Sequence, residues 1–216
     1  MGHKGDIIFP IVRKSKVIVD LGANNGREAK RFLKLSPQAE MHIFEPLPRW
    51  FRYLSKKFGS KSNCYVYDIA ISDKDGMADF YPEPPGGKQN SSSLRGKTTK
   101  LHDVVFKDSI KVKTQRLDTW YRQTDASTVD FIWSDIEGSE RELINGGMET
   151  LKNTRYFYTE YTEKTYLEGQ ALLPEIVDLI SPYFDIVEKF PWFNDKKNKS
   201  WHFGNILFKN KKINYE

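Results

Sequence analysis

The sequence predicts an α/β fold in which helices cover both faces of a doubly wound, mostly parallel sheet. Three observations support this prediction. A short apolar strand, a helix and a second strand follow one another within about 30 residues, which is the pattern of a βαβ unit. The same alternation returns in the second half of the chain, and a pair of alternating strands closes it. Since no repeat or domain boundary interrupts this order, we predict a single domain over residues 1–216.

The N-terminal elements follow from hydrophobic periodicity. Residues 16–21 form a β-branched run typical of a buried parallel strand, and residues 41–45 form a second strand. Between them, residues 25–35 have the apolar spacing of a helix. A second helix spans residues 48–58 and ends at a glycine, and residues 64–71 form a third strand.

The middle of the chain is less regular. Residues 76–81 predict a short extra strand, residues 110–117 an edge strand, and residues 118–123 a short helix. Residues 82–100 are rich in proline, glycine and serine and therefore predict a long loop. Because loops of this length in compact domains are often functional, we expect this one to cover an acceptor.

The remaining elements alternate in the same way as the first ones. They are strands over residues 129–136 and 156–161, helices over residues 139–151 and 170–180, and a closing antiparallel pair over residues 184–190 and 202–208.

Composition is that of an ordinary water-soluble protein, with 38% hydrophobic and 29% charged residues and a net charge of +5. No stretch approaches the roughly 20 apolar residues of a membrane span. The single cysteine, Cys64, excludes an internal disulfide and a cysteine-based zinc site. These features predict a cytoplasmic protein.

A glycine-containing turn over residues 19–26 joins the first strand to the first helix. Gly22 and Gly26 let the backbone turn tightly and approach a ligand, and the helix N-terminus presents N–H groups to a carboxylate. Glu45 follows about 20 positions beyond the turn, where related folds place the acid that binds ribose hydroxyls. The turn lacks the G-x-G-x-x-G pattern, which disfavours a nicotinamide cofactor.

Several short motifs, in this order along the chain, resemble the FkbM family of methyltransferases. The resemblance covers roughly residues 17–151, and the string Asp-x-Glu-Gly-x-Glu that begins at Asp135 is its most specific part. It implies a Rossmann-like, class I methyltransferase fold, whose mostly parallel seven-stranded sheet has an antiparallel last strand. It also implies S-adenosylmethionine as methyl donor and a hydroxyl acceptor on a sugar or natural product. The motifs lie at residues 17–26, 44–46, 69–73, 92–94, 116–120 and 134–140.

The resemblance also assigns cofactor-binding residues. The turn would line the methionine part, Glu45 would hold the ribose, and the third strand would lie near the adenine. Apart from the resemblance, Ser93 lies in the long loop expected to cover the acceptor, where its hydroxyl can bond cofactor or sugar hydroxyls. The predicted cofactor-binding set is Asp20, Gly22, Ala23, Asn24, Gly26, Glu45, Asp68, Ala70 and Ser93.

Methyl transfer to a hydroxyl requires a group that removes its proton, and carboxylates follow two of the predicted strands. Asp135 and Glu160 end neighbouring strands, and Glu137 alternates with Asp135, so all three should face one crevice. We predict Asp135 as the base, or as a ligand of Mg²⁺ or Mn²⁺, with Glu137 and Glu160 in support. His202 is a second candidate base.

The acceptor is a small molecule or a saccharide on this interpretation, and the chain could be one domain of a larger glycan-building enzyme. Aromatic residues in the second half favour a saccharide, because flat rings form the walls on which sugars stack; they are Tyr161, Tyr166, Trp192, Phe193 and Trp201. Three alternatives stay open. They are methylation of a polyketide or other small metabolite, nucleic-acid binding by the basic chain ends, and a cofactor-binding scaffold without catalysis. Nucleic-acid binding is disfavoured, since no motif accompanies the basic residues.

Overall fold

A computed structural model of the chain describes residues 4–82, 92–95, 108–194 and 199–213. The described helices are α1 (Lys4–Lys14), α2 (Arg27–Leu35), α3 (Pro48–Phe58), α4 (Leu117–Tyr121), α5 (Glu140–Gly146), α6 (Met148–Lys152) and α7 (Leu173–Ile180). The described strands are β1 (Val17–Leu21), β2 (Glu40–Phe44), β3 (Cys64–Tyr67), β4 (Ile69–Ile71), β5 (Gly76–Phe80), β6 (Ile110–Gln115), β7 (Val129–Ser134), β8 (Thr154–Thr162), β9 (Phe184–Asn194) and β10 (Lys199–Asn210).

Seven strands form the central sheet, in the order β3-β2-β1-β7-β8-β10-β9. The first five are parallel to one another, whereas β10 runs antiparallel to both β8 and β9. The predicted seven-stranded, mostly parallel sheet with an antiparallel last strand is confirmed. A separate sheet of three strands, in the order β4-β6-β5, lies beside it and was not predicted as a sheet of its own.

Helices cover both faces of the central sheet, as predicted. In β1, Ile18 packs with residues of α1, α2 and α3 on one face, among them Phe32 of α2. The next residue, Val19, belongs to the opposite core with residues of α4 to α7, among them Ile176 of α7. Because strand side chains alternate between faces, one apolar run supplies both cores. No helix in the described part of the chain is long and apolar enough to cross a membrane.

Three element predictions need correction. α1 was not predicted, because Pro10 lies inside it and proline disfavours a helix interior. The strand expected over residues 64–71 is divided at Asp68, since β3 joins the central sheet and β4 joins the small one. The helix expected over residues 139–151 breaks at Gly147, where a Cβ would lie 2.7 Å from the carbonyl oxygen of Leu143.

Of the long loop predicted over residues 82–100, the structure describes Pro82 and residues 92–95. Tyr81 and Ser93 exchange two backbone hydrogen bonds of 2.8 and 3.1 Å, which place this segment beside the end of β5. The rest of the loop lies outside the described residues.

Asp130 stabilises the junction of the two central strands. Its Oδ2 accepts hydrogen bonds from the amides of Lys16 (2.7 Å) and Val17 (3.0 Å), and its Oδ1 lies 2.9 Å from Nε of Arg155. The carboxylate side chain is only 9% exposed. We expect Asp130→Ala to lower the free energy of unfolding by about 3 kcal/mol, because it leaves a partly buried arginine and two backbone amides without their carboxylate partner.

Urea unfolding followed by circular dichroism measures this change. The matched control is Asp178→Ala at an exposed position of α7, where a shift within about 0.5 kcal/mol is expected. Equal unfolding midpoints for the two variants would contradict the assignment.

Candidate active site

A cavity of about 270 Å³ opens where β1, β2 and β7 end, at the carboxyl edge of the central sheet. Parallel strands of open α/β sheets bind ligands at this edge. The small sheet and the described part of the long loop close one side, through Ala70, Phe80, Ser92 and Leu94. The polar lining consists of Asp20, Asn24, Asn25, Arg27, Glu28, Glu45, Ser92, Asp135, Glu137 and Ser139.

The turn after β1 approaches the end of β7 very closely. Gly22 has a φ of +81°, and a Cβ there would lie 2.0 Å from the carbonyl oxygen of Asp135. The Asp135 amide in turn donates a 2.9 Å hydrogen bond to Leu21. Only glycine fits this position, since both the backbone angle and the space exclude a side chain. Gly22 and Ala23 line the cavity.

Two amides of this turn are used within the protein, whereas the carboxylate expected at the N-terminus of α2 stays a prediction. Those of Gly22 and Ala23 both donate 3.0 Å bonds to the carbonyl of Phe44. Gly26, with a φ of +67°, is not among the cavity-lining residues; a Cβ there would meet Leu54 of α3 at 2.5 Å. Gly26 therefore permits the packing of α2 against α3, and its contact with a cofactor stays a prediction.

Asp20 presents an unsatisfied carboxylate oxygen to the cavity region. The residue is 1% exposed, and its Oδ2 has no hydrogen-bond partner among the described residues. Burial, reinforced by the negative charges of Glu28 and Asp135, raises the pKa of Asp20 well above its usual range. The amide oxygen of Asn24 is likewise buried without a partner in the described structure. Buried polar atoms rarely remain unpaired, so these two indicate a polar ligand.

Glu45 is held rigidly at the end of β2. Its Oε2 accepts a 2.7 Å bond from the Asn24 amide and its Oε1 a 2.8 Å bond from the Leu47 amide. Burial raises the pKa of Glu45 to about 7, although these two bonds oppose the shift. Each carboxylate oxygen can accept a further bond, so the fixed group can bind two hydroxyls.

The remaining predicted cofactor residues divide between the cavity and its surroundings. Ala70 lines the cavity beside Ile69 and Ile71. Asp68 does not line it; its carboxylate accepts a 2.8 Å bond from Lys113 instead. Ser93 is also outside the lining, because its hydroxyl donates a 2.6 Å bond to the backbone carbonyl of Glu137. Cofactor contacts of Asp68 and Ser93 stay predictions.

The three predicted carboxylates meet, as the strand order requires. One oxygen each of Asp135, Glu137 and Glu160 lie within 4.8 Å of one another. Asp135 and Glu160, called the carboxyl pair below, share a hydrogen bond. Burial and the neighbouring Asp135 raise the pKa of Glu160 well above its usual range, whereas the pKa of Asp135 rises to about 6, mainly through burial. Glu160 therefore keeps the shared proton, and Asp135, at the lining of the cavity, is the member of the pair that ionises near neutral pH.

His202 lies outside the cavity lining. It is on β10, its side chain is 45% exposed, and its Nδ1 faces Glu163 Oε2 at 3.6 Å. Of the predicted aromatic wall, Tyr161 is buried in the core and Trp192 is 51% exposed. The side chains of Phe193 and Trp201 are outside the described structure.

Lys4 was not predicted, yet it lies beside the carboxyl pair. Its Nζ is 4.4 Å from the centre of the Trp133 ring and 4.6 Å from that of Tyr158. Burial lowers the pKa of Lys4 to about 8, although the carboxylates of Glu28, Asp135 and Glu160 oppose this shift. No sequence signal marks Lys4, because its neighbours in space are far away in the sequence.

Comparisons with known proteins agree with this architecture. A family model described as methyltransferase FkbM domain matches residues 20–190. The chain is 38% identical over 192 residues to 2-O-methyltransferase NoeI of Sinorhizobium fredii, covering 86% of this chain and 79% of that protein.

Solved structures with the same fold have low sequence identity to this chain. The Methanococcus jannaschii fibrillarin pre-rRNA processing protein superposes with a TM-score of 0.54 at 13% identity, over 94% of this chain and 70% of that one. A Burkholderia thailandensis 1,6-didemethyltoxoflavin-N1-methyltransferase, solved with S-adenosylhomocysteine, gives a TM-score of 0.50 at 13% identity, over 95% and 76%. Both show the class I methyltransferase fold.

Proposed function

The chain belongs to the FkbM methyltransferase family, and from this membership we propose that it moves a methyl group from S-adenosylmethionine to a hydroxyl of a sugar or glycan. The observation that carries the proposal is the position of Asp135 at one cavity with Asp20 and Glu45. The group proposed to deprotonate the acceptor and the carboxylates proposed to bind the cofactor thus share one site. The name of the 38% identical relative, a 2-O-methyltransferase, supports an oxygen acceptor.

The cavity fits S-adenosylmethionine by its own chemistry. The oxygen Oδ2 of Asp20 suits the ammonium of the methionine part, since it is buried and has no hydrogen-bond partner in the described part of the chain. Arg27 lines the cavity with a largely exposed side chain, and its 3.8 Å ion pair with Glu28 through Nε leaves other guanidinium donors for the carboxylate. The fixed Glu45 carboxylate suits the two ribose hydroxyls, and Ala70 with Ile69 and Phe80 offers an apolar wall to the adenine.

The carboxyl pair would prepare the acceptor. The bound sulfonium supplies the methyl group, and the protein must hold the acceptor oxygen behind it in line. Asp135, ionised near neutral pH, would accept the hydroxyl proton on a carboxylate oxygen while the oxygen–methyl bond forms, the sulfur–methyl bond breaks and S-adenosylhomocysteine is the leaving group. Glu160 keeps its own proton and donates it in a hydrogen bond to Asp135, which fixes the orientation of the base. Asp135 then releases the proton to solvent.

A divalent cation at Asp135, Glu137 and Glu160 stays part of the proposal. Oxygen ligands at this spacing suit Mg²⁺ or Mn²⁺. The positive charge of Lys4 already acts on two of these carboxylates, which lessens the need for a cation there.

Methyl transfer from labelled S-adenosylmethionine to a panel of methyl glycosides and of non-sugar alcohols tests the proposal. Each reaction is run with Mg²⁺, with Mn²⁺ and with EDTA. Label in a glycoside supports the saccharide acceptor, and label only in non-sugar alcohols supports the alternative of a small metabolite. Loss of activity in EDTA, restored by either cation, supports the metal. If a folded protein that binds the cofactor labels no hydroxyl compound, the O-methyltransferase proposal is wrong.

A further inference from the structure

Three side chains from distant parts of the sequence form a continuous row beside the carboxyl pair. Lys4 Nζ donates a 3.4 Å hydrogen bond to Oδ1 of Asn205, and Nε1 of Trp192 donates one of 3.2 Å to the same oxygen. Asn205 is 5% exposed, and it lies directly opposite Glu160 in the pairing of β8 with β10. The row, called the Lys4 row below, therefore begins at the carboxyl pair and ends at the surface.

The ammonium of Lys4 lies against two stacked aromatic rings. The rings of Trp133 and Tyr158 stack with centroids 4.1 Å apart and planes 13° from parallel, and Lys4 Nζ lies beside the stack, 4.4 and 4.6 Å from the two centroids. The two rings and the hydrogen bond to Asn205 together hold the nitrogen in place. Trp133 also lines the cavity, so this pair of stacked rings extends from Lys4 to the candidate active site.

Lys4 keeps hydrogen-bonding capacity for a ligand. Among the residues that the structure describes, it forms no direct ion pair with a carboxylate, although Asp135 and Glu160 are close enough to affect its pKa. An ammonium has three N–H donors, and Asn205 accepts one. Lys4 contacts Trp133, which lines the cavity together with Asp135, so a ligand bound at this end of the cavity can reach both groups.

Trp192 supplies an apolar surface at the outer end of the row. Its side chain is 51% exposed although its indole N–H is bonded to the buried Asn205. The ring is thus held in one orientation with much of its area open to solvent, and Phe203 packs beside it at 5.5 Å. The negative face of an indole attracts the C–H bonds on the apolar face of a pyranose ring, which are weakly positive.

We propose that the Lys4 row is the acceptor subsite, in which Trp192 stacks on a neutral pyranose ring and Lys4 binds a hydroxyl adjacent to the one that Asp135 deprotonates. This proposal rests on the function proposed above. Lys4 binds the adjacent oxygen because a hydrogen bond from an ammonium would withdraw electron density from the reacting oxygen and make it a weaker nucleophile. Asn205 is a positioning residue, since it orients both neighbours through one oxygen.

Steady-state kinetics with a methyl glycoside that the wild type accepts test the subsite. We expect Trp192→Ala to raise the KM for the glycoside about tenfold with kcat little changed, because stacking acts on ground and transition states alike. We expect Lys4→Met to lower kcat/KM at least tenfold, because it removes a charged donor. Lys4→Arg should restore part of this loss. Matched controls are Lys14→Met on α1 and Tyr53→Ala, an exposed tyrosine of α3.

A second substrate separates binding from structural damage. The wild type should prefer the glycoside to its analogue without the adjacent hydroxyl, whereas Lys4→Met should lose this preference. Affinity for S-adenosylhomocysteine should be the same in all variants. If the wild type binds no S-adenosylhomocysteine or methylates no glycoside, the proposed function fails and the subsite with it. If the wild type is active but the Lys4 and Trp192 variants match their controls, the subsite alone is overturned.

Discussion

Replacing Asp135 by asparagine is expected to lower kcat by about 10²- to 10⁴-fold, which is the usual contribution of a general base. Asparagine keeps the shape of the side chain and can still accept the hydrogen bond from Glu160, but it cannot take a proton. Affinity for S-adenosylmethionine should stay near that of the wild type, because Asp20 and Glu45 form the polar part of the proposed cofactor site. Initial rates at saturating cofactor, together with calorimetric titration, measure both quantities.

The pH dependence of the wild type gives an independent check on Asp135. Burial raises its pKa to about 6, and the base must be ionised to act. The kcat should therefore be low below pH 6 and rise to a plateau above it, with one proton lost in the transition. An Asp135→Asn variant with wild-type kcat, or a wild-type rate that does not change between about pH 5 and 8, would contradict the role of Asp135 as base.

Replacing Gly22 by alanine is expected to abolish cofactor binding, or to raise Kd for S-adenosylmethionine by at least about 100-fold. A Cβ at this position would lie 2.0 Å from the Asp135 carbonyl oxygen, which is a backbone atom and cannot rotate away. The turn after β1 must then separate from the end of β7, which breaks the hydrogen bond from the Asp135 amide to the Leu21 carbonyl. The cofactor side of the proposed site, at the turn after β1, would thereby move away from Asp135 at the end of β7.

Gly76→Ala is the matched control for Gly22→Ala. Gly76 also has a positive φ, of +147°, but no atom lies within 4 Å of the position of its Cβ. Alanine there brings backbone strain without a clash, so stability should decrease while cofactor affinity is kept. Calorimetric titration of S-adenosylmethionine into both variants, with circular dichroism to verify folding, makes the comparison. Equal affinities in folded samples of both variants would show that the close approach at Gly22 is unimportant.

The parts of the site that could be predicted from the sequence are those encoded at strand ends. Gly22 and Glu45 follow the first two strands of a βαβ unit, and such ends converge in a parallel sheet. Asp135 and Glu160 were expected together for the same reason, because each lies near the end of one of two adjacent parallel strands. The information needed is local, because a short apolar strand determines where the next polar residue will lie.

The parts that could not be predicted depend on contacts between distant segments. Lys4 and Asn205 are 201 positions apart, and no periodicity in the N-terminal residues indicates that they meet. Ser93 was expected to face a ligand, but its hydroxyl bonds the Glu137 carbonyl, which is presented by a turn with a positive φ at Glu137. Asp68 was expected near the adenine within one strand over residues 64–71, yet it lies between β3 and β4 and pairs with Lys113 of the small sheet, which the sequence analysis did not recognise.

Calorimetric titration of S-adenosylmethionine and S-adenosylhomocysteine into the wild type, Glu45→Ala and Glu168→Ala tests the central claim most directly. Glu168 is exposed and outside the cavity lining, so it serves as the control for loss of a carboxylate. We predict a Kd in the micromolar range for the wild type and for Glu168→Ala, and a Kd at least about tenfold higher for Glu45→Ala. No binding of either ligand to the folded wild type would contradict the account.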